Sequence, residues 1–272
     1  MRRGPIGAAL RSEWRKVTTT RTWWVLALAL FGYMLFLGAT IGFAITHPDL
    51  ASSGGSGDLQ VHGRAAAELV YTLAASFGYA FPLVIGALAM TGEFRHRTIT
   101  PTLLAEPHRR LVLGAKLAVS LAVGVLYGVA GTLGAIAGGA PLLATGDGTF
   151  LTSGAVLADL GFCVLALAGW SAIGVGVGSL ITNQVAAVIA ILAFTQFVEP
   201  VLRIGLGSVH ALSGASRYLP GAAAEALSGS SFYSSAGMAG LLERWQGGLV
   251  LLGYAVVLAV LGRLTTMRRD VA

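Results

Sequence analysis

Residues 160–198 read LGFCVLALAGWSAIGVGVGSLITNQVAAVIAILAFTQFV and contain no Asp, Glu, Lys or Arg. As one helix, this stretch would extend about 58 Å at 1.5 Å per residue, roughly twice the thickness of the hydrocarbon core of a bilayer. The chain is therefore expected to fold back within it. The polar triplet Thr182-Asn183-Gln184 is the predicted turn, and it divides the stretch into two membrane-spanning helices.

Composition assigns the whole chain to the polytopic membrane proteins. Its mean hydropathy is +0.77 and only 11% of its residues are charged, less than half of the roughly 25% usual in soluble chains. Cys163 is the one cysteine, so an intramolecular disulfide is excluded and a buried thiol is expected. The five histidines show no spacing typical of metal ligands. We expect a single all-α membrane domain, residues 1–272, that itself binds no metal or cofactor.

The remaining charge-free runs complete a set of six predicted spans. Trp23 and Trp24 at the start of the first run are typical of the aromatic belt at a membrane surface. Gly138, Gly139 and Pro141 loosen the third run, and the span is therefore ended just before the proline. The predicted spans are residues 22–45, 69–92, 117–140, 158–181, 184–202 and 245–263.

The distribution of basic residues gives these spans an orientation. Of the 18 Lys and Arg residues, 14 precede the first span, lie near the connection between the second and third spans, or follow the sixth span. Positively charged residues of membrane proteins collect on the cytoplasmic side. Both termini and that connection are therefore predicted to be cytoplasmic. Because this orientation accounts for the basic residues, the net charge of +6 requires no nucleic-acid partner. The excess of Arg over Lys, 16 to 2, is typical of a GC-rich bacterial genome but says nothing about function. The expected location is the bacterial plasma membrane.

Two segments outside the spans predict further helices. Before the first span, Ile6, Leu10, Trp14 and Val17 fall near one helical face and the basic residues fall elsewhere, which predicts an amphipathic helix at the cytoplasmic membrane surface. A disordered basic arm is the alternative. After the fifth span, a long Gly- and Ser-rich segment predicts short extracellular helices, such as residues 220–227, which a proline opens.

Glycines four residues apart mark the third and fourth predicted spans. Small residues at this spacing let two membrane helices approach closely. We expect these glycines to pack helices within the chain rather than to form a dimer interface. The pairs are Gly124 and Gly128, Gly134 and Gly138, and Gly174 and Gly178.

The connection between the second and third spans concentrates charge in an otherwise apolar chain. Residues 91–110 read TGEFRHRTITPTLLAEPHRR, which is too short for a domain and too patterned for a linker. Residues 98–104 predict a short helix that breaks around Pro107. The Arg, His and Glu side chains are expected to face a soluble protein partner. The alternative is a solvated loop whose arginines serve only to retain it on the cytoplasmic side.

This connection resembles the signature loop of ABC-2 type transporter permease subunits. The segments LRSEWRKVTTTRTWWVLAL, NQVAAVIAILAFTQFVEPVL and RYLPGAAAEAL are similar to other parts of that family, so the resemblance covers most of the chain. Arg97 departs from the pattern, because many relatives have Gly there. The matching residues are Glu93, Phe94, Arg95, Thr98, Ile99, Leu103, Leu104, Pro107, Arg109, Val112 and Lys116.

The resemblance implies the transmembrane subunit of an ABC exporter, with the type V exporter fold. In such families the helix between the second and third spans is a coupling helix that contacts a cytoplasmic ATPase subunit. The working unit would contain two ATPase chains and a second permease chain, in a homodimer or heterodimer within membrane lipid. The residues implied in coupling are Glu93, Phe94, Arg95, His96, Arg97, Thr98, Thr100, Leu103, Leu104 and Arg109.

The sequence contains no G-x-x-x-x-G-K-[ST] motif, so ATP and Mg²⁺ are expected on the partner subunit and not on this chain. The chain itself is therefore expected to be a transport subunit and not an enzyme. Because the spans carry few polar groups, the expected substrate is amphiphilic or hydrophobic, such as a drug, an antibiotic, a peptide or a lipid.

Glu199, near the end of the fifth span, is followed by Pro200, which should kink or end the helix. Glu199 and Arg203 are four residues apart and can pair if the chain stays helical. Charged residues inside a membrane commonly mark a substrate path. Glu199, Arg203 and Gln196 are therefore candidates for an outer gate or path, and the alternative is a charge at the membrane boundary.

Two other classes of function compete with transport. A membrane-embedded enzyme would need converging catalytic groups, but the sequence has no H-E-x-x-H motif and no histidine within a predicted span. A non-transport scaffold or anchor would use the same basic connection to recruit a cytoplasmic partner. ATP-dependent transport with a cognate ATPase separates the exporter from the scaffold.

Overall fold

The computed structural model describes residues 5–48, 61–105, 109–209, 213–235 and 240–265. Within these ranges every regular element is helical, and six helices are long and apolar enough to cross a membrane. The prediction of an all-α membrane protein with six spans is confirmed at this level. Which side of the membrane each end faces stays a prediction.

The helices follow one another without long interruptions in the described ranges. Spans 2 and 5 each contain one π-helical turn, in which the backbone hydrogen bonds skip one residue further than in an α-helix. The first part of the chain forms α1 (Pro5–Thr18), α2 (Thr22–Thr46, span 1) and span 2, which consists of α3 (Gly63–Tyr71), a π-helix (Ala74–Gly78) and α4 (Ala80–Arg95). The middle part forms α5 (Ile99–Ala105), α6 (Arg109–Leu143, span 3), α7 (Gly154–Leu180, span 4) and span 5, which consists of α8 (Gln184–Ala193), a π-helix (Phe194–Val198) and α9 (Glu199–Ser208). The last part forms α10 (Ser213–Ser216), α11 (Pro220–Ser228), α12 (Phe232–Ser235) and α13 (Arg244–Thr265, span 6).

The turn that divides the long apolar run lies where the sequence predicts it. Span 4 ends at Leu180 and α8 begins at Gln184. Asn183 is the N-cap of α8, and its side-chain oxygen accepts hydrogen bonds from the backbone N–H groups of Val185 and Ala186, at 3.0 and 3.1 Å. These bonds satisfy two backbone donors that have no partner inside the helix. The cap fixes the start of span 5 directly after the turn.

Several spans extend beyond their predicted limits, and two of these extensions lie near a proline. Span 3 continues through Pro141 to Leu143, because a proline in the last turn costs only one hydrogen bond of a helix packed along its length. Span 5 has a predicted end at residue 202 and continues to Ser208; Pro200 follows Glu199, which directly follows the π-helix. Span 3 also begins at Arg109, so the connection between the second and third spans is shorter than the sequence suggests.

The glycine pairs bring neighbouring spans into close contact, which confirms that they pack helices within the chain. A Cβ atom added to Gly134 or Gly138 would collide with the backbone of span 1. Gly174 meets the backbone of span 2 in the same way, at the carbonyl of Leu83. Gly124 lies against Ala168 of span 4. Larger residues at these positions would force the helices apart.

Span 4 lies at the centre of the bundle and packs against spans 2, 3 and 6 and against α11. Spans 2 and 4 are mostly buried, whereas spans 1, 5 and 6 keep most of their apolar surface exposed. Span 1 packs mainly on span 3, and span 5 on span 2. Three peripheral spans therefore surround a core of three helices.

Part of the segment between spans 5 and 6 is buried inside the bundle. Helix α11 lies at the predicted position, but nearly all of its residues are buried against spans 4 and 6 and the π-helix of span 2. Gly229 ends it at φ +90°, in the left-handed region, and its missing Cβ leaves room for the ion pair of Asp159 with Arg244. The prediction that short helices form in this segment is thus confirmed. One of them, α11, is inserted among the spans and does not lie on the surface of the bundle.

Candidate functional site

Two charged networks lie at opposite ends of the bundle. The end that carries α1 and α5 is here called the basic face, and the end that carries α11 is called the opposite face. At the basic face, Glu13, Lys16, Glu93 and Lys116 form the Lys–Glu network. At the opposite face, Glu199, Arg203 and Glu225 form the Glu–Arg network.

The Lys–Glu network alternates two carboxylates with two ammonium groups. Nζ of Lys116 lies 2.6 Å from Glu13 Oε2 and 2.6 Å from Glu93 Oε1. Nζ of Lys16 lies 2.5 Å from Glu13 Oε1 and 2.7 Å from Glu93 Oε1. The four charges sum to zero, so each ion has an opposite charge in direct contact. This is the arrangement that makes buried charge tolerable.

The four residues come from three separate elements, so the network fixes their relative positions. Glu13 and Lys16 lie one turn apart on α1, Glu93 lies in the last turn of span 2, and Lys116 lies in span 3. Lys116 is 1% exposed and donates a third hydrogen bond to the carbonyl of Ala89, at 3.0 Å. Helix α1 is thereby held against spans 2 and 3 by charge as well as by Leu10 and Val17.

Lys16 extends the network to the connecting helix α5. Its ammonium lies 3.4 Å from Oγ1 of Thr102. Burial alone would lower the pKa of Lys16, but hydrogen bonds and Coulomb attraction from Glu13 and Glu93 outweigh it and raise the pKa above its ordinary value of 10.5. Lys16 is therefore a persistent cation that contacts α1, span 2 and α5 at once.

The residues predicted to face a cytoplasmic partner divide into two groups. Glu93 is buried within the Lys–Glu network, and Phe94 is partly buried against the cluster of Met90, Leu113 and Val175. The expectation that Glu93 faces a soluble partner was therefore wrong, because two ammonium groups hold it inside. The side chains of Leu103 and Arg109 lie outside the described part of the chain. The exposed members are Arg95, His96, Arg97, Thr98, Thr100 and Leu104.

The short helix predicted at residues 98–104 is present as α5, shifted by one residue. Span 2 ends before it in a Schellman motif, with hydrogen bonds from the N–H of Thr98 to the carbonyl of Glu93 and from the N–H of Arg97 to that of Phe94. Arg97 takes the left-handed conformation of this motif, with φ +54°. This turn redirects the chain from span 2 into α5.

The Glu–Arg network surrounds one guanidinium with two carboxylates. Arg203 donates through Nη2 to Glu199 Oε1 at 3.1 Å and through Nη1 to Glu225 Oε1 at 2.8 Å. All three side chains are at least 97% buried in the chain. The predicted pairing of Glu199 with Arg203 is confirmed. Glu199 is thus not a charge exposed at the outer end of the helix.

Further polar groups satisfy the two carboxylates. The backbone N–H of Gly221 donates to Glu199 Oε1 at 2.5 Å, which places this carboxylate at the positive N-terminal end of α11. The hydroxyl of Tyr79 lies 3.3 Å from Glu199 Oε2, and the hydroxyl of Ser231 donates to Glu225 Oε2. The Glu–Arg network therefore joins span 5, span 2 and the inserted helix α11.

Aromatic rings complete the surroundings of this network. The Arg203 guanidinium lies over the ring of Tyr233, 4.8 Å from its centroid. Tyr79 stacks on Trp170 of span 4 at 4.5 Å. Both π-helices adjoin the network: one directly precedes Tyr79 and the other directly precedes Glu199. Gln196, predicted in the same group, is exposed and bonds only to the adjacent Thr195 among the described residues.

Sequence reasoning missed Glu13, Glu225 and Tyr79 as members of these networks. A signal was present for Glu225, which is a single charge in the apolar stretch PGAAAEAL. A signal was also present for Glu13, since it lies on the same helical face as Leu10 and Val17. Lys116 was read as a loop residue because the start of span 3 was placed after it.

No group of three or more His, Cys, Asp or Glu residues in the described ranges could hold a metal ion. Comparisons of the chain with protein-family models, with curated proteins and with solved structures each find no match.

Proposed function

We propose that this chain is the transmembrane subunit of an ATP-driven exporter of the ABC-2 type, which moves an amphiphilic or hydrophobic molecule with energy from a separate cytoplasmic ATPase. The observation that carries the proposal is the surface of α5 and the turn before it. Leu104 is 78% exposed on a short helix outside the spans, and Arg95, His96 and Arg97 are exposed at the end of span 2 that precedes this helix. A protruding apolar residue on the same short segment as several exposed charges is typical of a protein interface.

The attachment of α5 supports a mechanical role for that interface. Movement of α5 by a bound partner would reach span 2 through the three residues that separate them, and α1 through the contact of Thr102 with Lys16. Glu93 would then contribute by holding α1 against span 2 through the Lys–Glu network, and it would not contact the partner itself. The middle of the same span 2 approaches the Glu–Arg network through Tyr79. Span 2 thus offers a physical connection between the basic face and the Glu–Arg network.

We assign the outer gate of this exporter to α11 and the Glu–Arg network. Helix α11 closes the bundle at the opposite face, and its contact with span 5 depends on polar bonds to Glu199 and Arg203. When α11 separates from span 5, water can replace the hydrogen bonds and ion pairs between them. The apolar contacts of α11 with span 4 stabilise the closed arrangement. The neighbouring π-helices supply the local adjustment that such separation needs.

The deciding experiment is purification of the tagged chain in mild detergent from its native membranes, with mass spectrometry of the proteins that accompany it. We expect a soluble P-loop ATPase in stoichiometric amount with the wild type. The variants Leu104→Ser and Arg97→Glu should reduce its recovery about tenfold, the loss typical of interface residues worth 1–2 kcal/mol. Arg217→Glu, which changes an exposed arginine at the opposite face, is the matched control and should retain it.

Transport by the reconstituted complex completes the test. ATP-dependent movement of a lipophilic fluorescent dye into inverted vesicles should require both chains. If no ATPase accompanies the chain in several detergents and under ATP-trapping conditions, the exporter proposal fails. The basic connection would then belong to a membrane scaffold that recruits another kind of partner.

A further inference from the structure

An apolar groove runs along the lipid-exposed side of the bundle between spans 3, 4 and 6. Its volume is about 530 Å³. Buried small and branched residues of span 6, Leu251, Ala255 and Ala259, contribute to its base, and exposed residues such as Leu252 and Val256 form its rim. Leu227 of α11 lies at the end near the opposite face, and Arg263 lies at the end near the basic face.

The groove is long and apolar. From Gly248 to Arg263 span 6 rises about 22 Å at 1.5 Å per residue. The described residues that line this length are apolar until Arg263. A hydrocarbon chain laid along span 6 would therefore contact apolar groups from end to end.

The charge of the groove distinguishes between possible occupants. Among the described residues that line it, Arg263 is the one charged residue, and it stands at the basic face. Among the described residues, Arg263 makes no ion pair. An apolar groove that ends at a guanidinium with no ion-pair partner in the described part of the chain matches an anionic amphiphile, with the acyl chain in the groove and the acidic headgroup at the arginine.

We propose that this groove binds one acyl chain of an anionic phospholipid and that Arg263 pairs with its phosphate headgroup. The site belongs to the lipid-facing side of spans 3, 4 and 6, away from both charged networks. It requires no partner protein and no transport, so it stands or falls separately from the exporter proposal. A second copy of the chain is the competing occupant.

Two substitutions separate the acyl-chain site from the headgroup site. Gly114 lines the groove near the basic face, and a Cβ atom added there meets nothing within 4 Å, so Gly114→Leu fills the groove without a collision at Cβ. Gly253 of span 6 is equally free of neighbours but does not line the groove, so Gly253→Leu is the matched control. Arg263→Gln removes the charge while keeping a polar side chain that can donate hydrogen bonds.

The chain is purified after equilibration in vesicles containing equal amounts of phosphatidylglycerol and phosphatidylcholine with the same acyl chains, and retained lipid is counted by native mass spectrometry. We expect the wild type and Gly253→Leu to prefer phosphatidylglycerol by about fivefold, the factor expected of one basic residue near an anionic group. Arg263→Gln should abolish the preference but retain some lipid of both kinds. Gly114→Leu should lower retention of both lipids.

Equal retention of the two lipids by the wild type would overturn the proposal. So would unchanged retention in Gly114→Leu. If Gly114→Leu instead converts a purified dimer to a monomer while lipid retention stays constant, the groove belongs to an interface between copies of the chain.

Discussion

Arg97 occupies a backbone conformation that suits glycine better than arginine. It lies at φ +54° in the Schellman motif that ends span 2, where the Cβ of any L-residue is crowded against the backbone. Its exposed side chain makes no ion pair among the described residues that would compensate. The resemblance noted in the sequence also associates this position with glycine. The left-handed backbone conformation and the sequence resemblance therefore both favour glycine at position 97.

Replacement Arg97→Gly should stabilise the protein by about 1 kcal/mol, because it relieves the left-handed strain of a residue with a Cβ. The midpoint of thermal unfolding in detergent, followed by size-exclusion chromatography, is the measurement. Arg95→Gly, two residues earlier in the helical last turn of span 2, should destabilise by a similar amount. Equal destabilisation by both variants would contradict the assigned conformation.

Lys16 gives the basic face a characteristic dependence on pH. The folded-state pKa is raised above 10.5, so the stabilisation from this ammonium is fully present below the unfolded pKa and is lost as pH rises through the folded value. The stability advantage of the wild type over Lys16→Met should therefore stay constant from pH 7 to about 10 and shrink above that.

Lys16→Arg is the matched control, since arginine stays charged throughout this range. Its advantage over Lys16→Met should persist where that of the wild type disappears, as followed by thermal unfolding across the alkaline range. An advantage of the wild type that falls already near neutral pH would point to a different titrating group.

At the scale of the helices, the inserted helix α11 is the least expected element. An Ala-rich stretch with one glutamate reads as a surface helix, but its small side chains let it pack closely against span 6 at Gly247. Its one carboxylate is neutralised by Arg203, which arrives from span 5. The Glu–Arg network thereby supplies the polar part of a contact that is otherwise made by small apolar residues.

Removing the guanidinium of this network should cost more than removing one carboxylate. Arg203→Gln leaves Glu199 and Glu225 buried without their cation, and breaking a buried ion pair in this way typically costs about 3–5 kcal/mol. Glu199→Gln keeps an oxygen that can accept from Gly221 and leaves Arg203 paired with Glu225, so its loss should be smaller. Thermal unfolding of the two purified variants orders them, and the reverse order would contradict the described pairing.

Across the whole molecule, the two ends of the bundle differ in charge and in the elements they carry. The basic face carries α1, α5 and the end of span 6, and six spans place both ends of the described chain there. The opposite face carries the connection between spans 3 and 4 and helix α11. If positive charge determines the orientation, the basic face lies in the cytoplasm.

Cysteine labelling tests this orientation directly. Cys163 is buried and should not react with a membrane-impermeant maleimide, so the chain without an added cysteine should give no labelling signal. In intact cells Thr145→Cys should be labelled and Arg97→Cys protected, because these exposed positions lie at opposite ends. After lysis both should react. The inverse pattern would reverse the orientation without affecting the six-span fold.

Hydrophobicity and the polar triplet at residues 182–184 were enough to predict six spans, because a membrane imposes a length on every helix that crosses it. The short helix predicted at residues 98–104, broken around Pro107, lies within one residue of α5. The networks were not predictable in the same way: Lys116, Glu93 and Glu13 meet only after three elements pack. The extension of spans 3 and 5 through proline likewise depends on neighbouring helices, which local sequence does not reveal.

The π-helix Phe194–Val198 holds one residue more than an α-helical turn of the same rotation. Deletion of one residue here, such as exposed Phe197, would convert the segment to α-helix and leave Glu199 and Arg203 facing nearly the same direction. Deletion of one residue within α8 has no such compensation, because each residue turns an α-helix by about 100°. It would rotate both charges away from α11, so span 5 tolerates a change of length at this short segment better than elsewhere.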